Sequence, residues 1–585
     1  MEHKLHLFYV VHNIKMQTCI EHNKRVVSIA LAVNVFYLAV CLFWGNFSYF
    51  GVADDYFMAR TLEGVFGDSY NVHLTFVNVL YGYFLLPLYH LFPKVGWYYV
   101  GEIAEVFVSL TAISFVVLKK MGARWGVLLS LLFILFFARD FYLTAQFTQC
   151  AAILGAAGML LIAYGINAVN NKKRLFFCGC ILIVLGTIMR REAVLMGIPF
   201  FACALLVQIK ACFRNKILLV VSLLALYVGF CGLEKFNQFH YASPEYQKYM
   251  SFQSPRVTLG DKTNYEKDLV CDELEERNFL CEDYRLLNRW TFYDTEVFTI
   301  DTLRSIAGVV NKYSYPVQWR TMPKAVLDWF DRSLEKPGLW AFLLFSALMF
   351  ISKGGDAGYT WGSLFILLSL MAYLLYRQRL VYRVESGLWL YATVLSIPFI
   401  GKMRQMPIKV YYVVVGIALI AICSFFAYSG TFVRSTKNGN LWDVAQRTKY
   451  ILPEHKALFD YVQSMPENTV FFANMNSYMT LTNYRNLPYL SEPIGSWKKI
   501  APLGYWTPYF PDIENHLKNV GMSNPIHDLV LDNVFVINED GLVDFLQNHY
   551  YDSVDVQIVR NFADIKILKY SVVESSSSKN TNVDE

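Results

Sequence analysis

Residues 150–166 read CAAILGAAGMLLIAYGI, part of an uncharged stretch that ends in the basic cluster NNKKR at residues 170–174. A run of this length can cross the hydrocarbon core of a bilayer as one helix. Similar runs recur along the 585 residues and alternate with short basic clusters and two long polar stretches. The chain is 55% hydrophobic and 17% charged, whereas soluble proteins carry about 25% charged residues. The pattern therefore predicts an α-helical polytopic membrane protein.

The basic clusters also predict the topology. Residues 1–25 carry several lysines and precede a first span at about 26–45, which places the N-terminus inside. An outer loop at 46–96 follows, and its part 70–93 is interpreted as a helix on the outer surface. Counting that part as a span would move three strong basic clusters outside, against the positive-inside tendency. The membrane domain then covers 26–427 with about eleven spans, and a polar outer segment covers 234–338.

Four runs complete this membrane domain. They lie at about 339–352, 359–376, 386–401 and 408–427. From about 430 to 570 the composition changes to that of a soluble α/β or α+β domain, which the topology places outside. Its predicted helices are 454–462, 513–520 and 541–549, and its predicted strands are 469–472, 533–537, 553–559 and 563–570. The Ser-rich tail, 571–585, is expected to be disordered.

Most of the eleven cysteines lie inside apolar runs, where cysteine behaves as a small hydrophobic residue. Cys271 and Cys281 differ because they share the polar outer segment. They either pair there as a disulfide or remain free thiols.

The adjacent acids Asp54 and Asp55 follow the first span and are the first candidate catalytic residues. Two carboxylates this close raise the pKa of one of them, and either could deprotonate or orient an acceptor hydroxyl. Paired acids also suit Mg²⁺ or Mn²⁺, although no complete ligand set is visible. The alternative interpretation is an ordinary solvated loop with Asp chosen for its turn chemistry.

Charged residues at the predicted outer ends of spans form a second set. Asp140 follows Arg139 there, either as a further catalytic acid or as half of a helix-end pair. The cluster Arg190, Arg191 and Glu192 interrupts an apolar stretch. Because a charged group at a membrane centre costs at least ~2.5 kcal/mol, this cluster either lines a polar cavity or forms a hairpin turn at the surface.

Three further arginines, Arg377, Arg379 and Arg383, also fall on the outer side, against the usual bias. Arginine binds phosphate with two parallel hydrogen bonds and stays charged, so they are candidate binding residues for an anionic lipid phosphate. His73 is most simply an interfacial histidine, with a role in substrate binding as the alternative.

This arrangement resembles the GT-C superfamily of membrane glycosyltransferases, which includes the protein O-mannosyltransferases, the lipid A aminoarabinose transferases and the oligosaccharyltransferases. The matching stretches are ADDYFMAR at residues 53–60, HLTFVN at 73–78 and LLPLY at 85–89. The family's acid pair is often Asp-Glu, whereas this chain has Asp-Asp. A WWD-type motif like that of the oligosaccharyltransferases is missing, which argues against asparagine-linked transfer.

The resemblance implies an inverting glycosyltransferase in the cytoplasmic membrane that uses a polyprenyl-phosphate-linked sugar. It maps the base onto Asp54 or Asp55, a second acid onto Asp140, and phosphate binding onto the arginines. The acceptor would be a glycan, lipid or protein of the cell envelope, and no nucleotide or nucleic-acid motif is present. The alternatives are a lipid-linked glycan transporter or flippase, a repeat-unit polymerase or ligase, and a scaffold without enzymatic activity.

Overall fold

The computed structural model describes residues 23–41, 53–262, 264–315, 320–334, 336–377, 379–432, 453–474, 477–478, 489–563 and 565–573. The predicted N-terminal segment up to residue 22, and the predicted disordered tail from residue 574 onward, lie outside them. The tail prediction began too early, because a strand continues to Val572.

The first half of the chain is a series of helices. They are α1 (Asn23–Cys41), α2 (Ala53–Leu62), α3 (Val79–Leu91), α4 (Trp97–Ala138), α5 (Phe147–Asn167), α6 (Lys172–Leu195), α7 (Ile198–Val207), α8 (Ile209–Arg214) and α9 (Lys216–His240). A single π-turn, Arg139–Leu143, follows α4. Inside α4, Gly122 adopts φ 75° and ψ 171°, which glycine tolerates without strain. Gly122 therefore separates two helical segments within α4, inside the basic stretch KKMGAR at residues 119–124.

The middle of the chain is also helical. It contains α10 (Pro244–Asp261), α11 (Lys267–Glu276), α12 (Cys281–Asn288), α13 (Ile300–Lys312), α14 (Met322–Leu334), α15 (Pro337–Ile351), α16 (Gly358–Tyr376), α17 (Tyr382–Val394) and α18 (Ile408–Phe432). The polar segment predicted from residue 234 begins later, because α9 runs on to His240. Cys271 and Cys281 are joined by a disulfide bond between α11 and α12, so the first of the two alternatives is confirmed.

α5 is the centre of the helical bundle. Nearly all of its side chains are buried, and it packs against α4, α6 and α17. At its contact with α6 a Cβ atom on Gly158 would lie 2.6 Å from the Gly179 carbonyl oxygen, so glycine lets the two backbones approach closely. α9, in contrast, exposes most of its apolar side chains. An exposed apolar face of this length suits contact with lipid.

The chain is a multi-pass membrane protein. Among the described residues, five helices are long and apolar enough to cross a membrane: α1, α4, α5, α9 and α16. A bent pair, α14 with α15, would make six. The prediction of about eleven spans is therefore not confirmed. Several predicted spans are too short, as in the ten-residue α7, or carry charges at their ends, as α6 does.

The C-terminal part is an α/β unit, as predicted. Its elements are α19 (Pro453–Ser464), β1 (Val470–Ala473), β2 (Ile500–Pro502), α20 (Pro511–Asn519), β3 (Val534–Ile537), α21 (Val543–His549), β4 (Val554–Phe562) and β5 (Ile565–Val572). The sheet order is β2-β1-β3-β5-β4, with β1 parallel to β2 and β3 and with β5 antiparallel to β3 and β4. Strand β2 was not predicted, because three residues are too few for a recognisable alternation.

Hydrogen bonds connect the C-terminal unit to the residues that directly follow α2 in sequence. The Glu492 amide donates to Glu63 Oε2 at 3.1 Å, and the Trp497 amide donates to the Val65 carbonyl at 3.1 Å. Glu63 also pairs with buried Arg60 at the end of α2. These bonds fix the C-terminal unit against the helix that carries the acid pair.

Candidate active site

The acid pair lies in the first turn of α2, where carboxylates are favoured by the helix dipole. Asp55 is completely buried. Its Oδ1 accepts hydrogen bonds from the Tyr98 hydroxyl at 3.0 Å and from the Phe147 amide at 3.1 Å. The start of α2 is thereby tied to the starts of α4 and α5.

The pKa of Asp55 is raised to about 7, mainly by burial and also by the neighbouring Asp54 charge, although the bonds from Phe147 and Tyr98 lower it. The buried Glu102 carboxyl of α4 interacts electrostatically with Asp55. Asp55 Oδ2 and both Glu102 oxygens have no hydrogen-bond donor among the described residues. Asp55 is therefore an interior carboxyl that changes its protonation near neutral pH.

Asp54 has a different environment. It is half-buried rather than enclosed, and its Oδ1 accepts a 2.8 Å hydrogen bond from the indole nitrogen of Trp506. This tryptophan comes from the C-terminal unit and stacks on Phe57 of α2, with ring centroids 4.8 Å apart. Of the two acids, Asp54 is the one that a substrate can reach.

Arg190 reaches the acid pair because α6 is interrupted there. Its backbone is extended (φ −162°, ψ 107°), and the Ile188 carbonyl just before it accepts a bond from the Asn78 amide. The Arg190 guanidinium donates to Thr148 Oγ1 at 3.3 Å and lies over the Phe147 ring at 4.9 Å. It interacts electrostatically with Arg383, Glu192, Asp54 and Asp55.

The neighbouring charges at the same break face outward. Arg191 pairs with Glu234 at 2.9 Å and with Glu192 at 3.4 Å. The side chains of Arg191 and Glu192 are 46% and 64% exposed. Of the three residues predicted here, the structure therefore brings Arg190 alone toward the acid pair.

The three arginines predicted near α17 also have different surroundings. Arg383 lies within electrostatic range of Arg190 and Tyr505. Arg379 pairs with Asp261 at 3.9 Å, and Arg377 and Arg379 both act on Lys262 at the end of α10. Of these three arginines, Arg383 is the one within electrostatic range of Arg190, whereas the other two lie near the end of α10.

Arg256 of α10 is a site residue that the sequence analysis missed. It is 4% exposed, its Nε donates to Gln253 Oε1 at 2.7 Å, and its guanidinium lies over the Trp290 ring at 5.6 Å. Burial lowers its pKa, while Tyr249, Asp54 and Asp261 favour the charged form. The sequence did not mark Arg256 as a site residue, because several other basic residues lie in the same polar segment.

Glu102 was missed although a signal existed. It lies with Glu105 inside an apolar run that the sequence predicts to span the membrane. An ionisable residue in such a run is a candidate functional group by default. Trp506, in contrast, lies 452 residues from Asp54, and no local pattern marks it.

Asp140 is held against α17. Its Oδ1 accepts a 2.6 Å hydrogen bond from the Tyr382 hydroxyl, and its Oδ2 accepts a 2.8 Å bond from Ser386. Since Arg383 lies between these two donors in sequence, Asp140 fixes the helix start that presents Arg383. Its predicted catalytic role stays a prediction.

His73 packs at the junction of α9 and α10. Its Nδ1 lies 2.8 Å from Asn71 Oδ1, its Nε2 lies 3.2 Å from the His240 carbonyl, and its ring stacks on Tyr246. Burial lowers its pKa to about 4, so it is uncharged at neutral pH. This geometry fits a structural histidine, and the substrate-binding role stays a prediction.

Metal binding was left open by the sequence. Within the described ranges, no group of three or more His, Cys, Asp or Glu side chains is arranged to hold a metal ion. Asp54 and Asp55 point into different surroundings, one toward Trp506 and the other toward Tyr98.

Comparisons with known proteins give structural matches alone. No family model matches the chain, and no curated protein matches it. ArnT from Cupriavidus metallidurans matches in its apo state with 10% identity and a TM-score of 0.41, covering 94% of this chain and 98% of that one. The same protein bound to undecaprenyl phosphate matches with 9% identity, the same coverage and a TM-score of 0.41.

The Archaeoglobus fulgidus oligosaccharyltransferase in its apo form also matches, with 13% identity and a TM-score of 0.35 over 88% of this chain and 69% of that one. At these identities and TM-scores the activity has to be inferred from the site itself.

Proposed function

We propose that this protein is a membrane glycosyltransferase that moves a sugar from a polyprenyl-phosphate donor to an acceptor hydroxyl at the outer face of the cytoplasmic membrane. The observation that carries the proposal is that Arg190 lies within electrostatic range of both Arg383 and Asp54. Two cations from distant helices and a reachable carboxylate form one site. That combination supplies an anion-binding group and a base together.

The arginine pair suits the phosphate of the donor. Arg190 and Arg383 repel one another, so their approach is costly unless an anion lies between them. Guanidinium groups bind phosphate oxygens with two parallel hydrogen bonds and keep their charge. They would also stabilise the charge that develops on the phosphate as the sugar leaves.

Asp54 is the proposed general base. It removes the proton of the acceptor hydroxyl while that oxygen forms a bond to the anomeric carbon of the sugar. The bond from this carbon to the phosphate oxygen breaks, and its electrons leave with the lipid phosphate. The products are the glycoside, with inverted configuration, the lipid phosphate and a proton on Asp54.

The accompanying assignments also form part of the proposal. The C-terminal α/β unit lies outside, and the acceptor is a glycan, lipid or protein of the cell envelope. Arg256, Arg377 and Arg379 extend the positive charge around the pair. They would guide the anionic head group toward Arg190.

Donor binding can be tested with undecaprenyl phosphate, the ligand of the ArnT structure. Arg383→Gln should weaken its binding to the purified protein about ten- to a hundredfold, because a hydrogen bond to a charged group contributes ~1.5–3 kcal/mol. Arg191→Gln is the matched control and should bind as the wild type does, since Arg191 pairs with Glu234 at the surface. If the wild type, Arg383→Gln and Arg191→Gln bind undecaprenyl phosphate equally well, the proposed phosphate-binding role of Arg383 is refuted.

Transfer can be tested in cells by profiling glycans and lipid-linked sugars. Asp54→Asn should lose a surface glycan and accumulate a polyprenyl-linked sugar at normal membrane levels. A transporter or flippase is favoured if the accumulated lipid-linked sugar lies on the inner leaflet alone. A repeat-unit polymerase is favoured if single units are still transferred but long chains disappear. If Asp54→Asn changes no glycan and no lipid intermediate, the proposed base is refuted.

A further inference from the structure

The C-terminal α/β unit reaches into the site through one side chain. Trp506 follows β2 and is 1% exposed. Asp54 and Phe57 lie three residues apart on α2 and so share one face of that helix. The indole ring covers Phe57 and its N–H meets the Asp54 carboxylate. A single residue therefore fixes both the helix face and the acid.

The backbone around Trp506 is held in an unusual conformation. Tyr505 has φ +69°, a left-handed value that costs energy for a large side chain. A Cβ atom on Gly504 would lie 1.9 Å from the Trp290 carbonyl oxygen, so only glycine fits there. The Tyr505 amide donates to the same carbonyl at 3.1 Å. The turn is thus fixed by its contact with the segment between α12 and α13.

The carbonyl side of Trp506 is fixed as well. Its oxygen accepts a 3.3 Å bond from Gln253 Nε2, and the other end of this amide accepts the bond from Arg256. Asp54, Trp506, Gln253 and Arg256 therefore form one continuous hydrogen-bonded chain. It joins the Asp54 carboxylate to the buried Arg256 guanidinium.

We infer that Trp506 is a positioning residue, through which the C-terminal unit orients Asp54 toward the acceptor hydroxyl. The indole N–H holds Oδ1, which leaves Oδ2 to face the substrate. This inference rests on the proposed role of Asp54 as the base. Trp506 itself touches no reacting atom, so its loss should impair transfer while donor binding is kept.

The test compares Trp506→Phe with Trp497→Phe. Both change a fully buried tryptophan of the same unit, but the Trp497 indole N–H has no hydrogen-bond partner in the part of the chain that the structure describes. Phenylalanine preserves stacking on Phe57 and removes the N–H. We expect transfer in cells to fall about ten- to a hundredfold in Trp506→Phe and to stay normal in Trp497→Phe. Undecaprenyl phosphate binding should be unchanged in both.

A rescue variant separates orientation from packing. The five-membered ring of histidine can place Nε2 where the indole nitrogen lies, so Trp506→His should restore part of the transfer. In protein labelled with ¹⁵N-tryptophan, the Trp506 indole signal should also shift in Asp54→Ala, while the Trp497 signal stays. Loss of transfer without rescue and without this shift would reduce Trp506 to a packing residue and overturn the inference.

The outcomes for the two proposals are distinct. If Asp54→Asn is inactive but Trp506→Phe transfers as Trp497→Phe does, the inference fails and the proposed function stands. If Asp54→Asn still transfers normally, the proposed base fails and the inference fails with it.

Discussion

Replacing Asp55 by asparagine should make the folded protein more stable at alkaline pH. Asp55 is buried, and the pKa of its carboxyl is raised to about 7 from an ordinary value of 3.8, mainly by burial. The asparagine oxygen can accept the same two bonds from Tyr98 and Phe147. Its amide group would face Glu102, whose oxygens have no donor in the described structure. The substitution removes a buried charge and supplies a missing donor.

The magnitude follows from the difference between the folded and unfolded pKa values. Below pH 3.8 the carboxyl is protonated in both states and does not affect stability. As the pH rises, the unfolded chain releases the proton first, so stability falls by about 1.4 kcal/mol per pH unit until pH 7. The total loss is about 4 kcal/mol, and it is complete above pH 7. For a chain of 585 residues it corresponds to roughly 3 °C in Tm.

The assay is thermal unfolding of purified protein in detergent at pH 5 and pH 8. Asp55→Asn should melt above the wild type at pH 8, and the gap should shrink at pH 5, where part of the wild-type loss has not yet occurred. Asp301→Asn, at a side chain that is 90% exposed, is the matched control and should leave Tm unchanged. A variant that melts at or below the wild type at pH 8, or that keeps the full pH dependence, would refute the reasoning.

Three further predictions concern contacts that stabilise the structure around the site. Glu385→Gln should cost roughly 3 kcal/mol in thermal unfolding, because the buried carboxylate accepts bonds from two indoles, a hydroxyl and a lysine. An unchanged Tm would contradict this account. Removing the disulfide with Cys271→Ser and Cys281→Ser should lower stability by about 2–3 kcal/mol for its ten-residue separation, and reductant should then no longer affect the Tm. Gly504→Ala should cost about 1–3 kcal/mol and impair transfer in cells, because its Cβ would overlap the Trp290 carbonyl. Normal transfer would show that the turn can move.

Local patterns in the sequence predicted much of the secondary structure. The helix expected at 454–462 is α19, and the strands expected at 533–537 and 553–559 are β3 and β4. These elements depend on apolar periodicity and turn residues that lie close together in the chain. The number of spans was less predictable. Whether a short or charged run crosses the bilayer depends on its packing partners as well as on its composition.

The candidate site was predictable to a similar degree. The sequence indicated Asp54, Asp55 and two groups of arginines, because paired acids and misplaced charges stand out in an apolar chain. It did not indicate which arginine of each group turns inward. Arg190 and Arg191 are adjacent and chemically identical, yet the backbone break sends one to Phe147 and the other to Glu234.

Composition and local pattern were enough to predict a helical membrane protein with a C-terminal α/β unit and an acid pair after its first span. The free energy of transferring a segment from water into the bilayer depends mainly on its own residues. Membrane-spanning runs can therefore be predicted before the fold is known. Only the folded structure shows that Asp55 is enclosed, that Asp54 accepts a bond from Trp506 and that Arg190 lies within electrostatic range of Asp54. The hydrogen bonds of these two acids join residues 43 to 452 positions apart, and they depend on how whole helices pack, which no local pattern encodes.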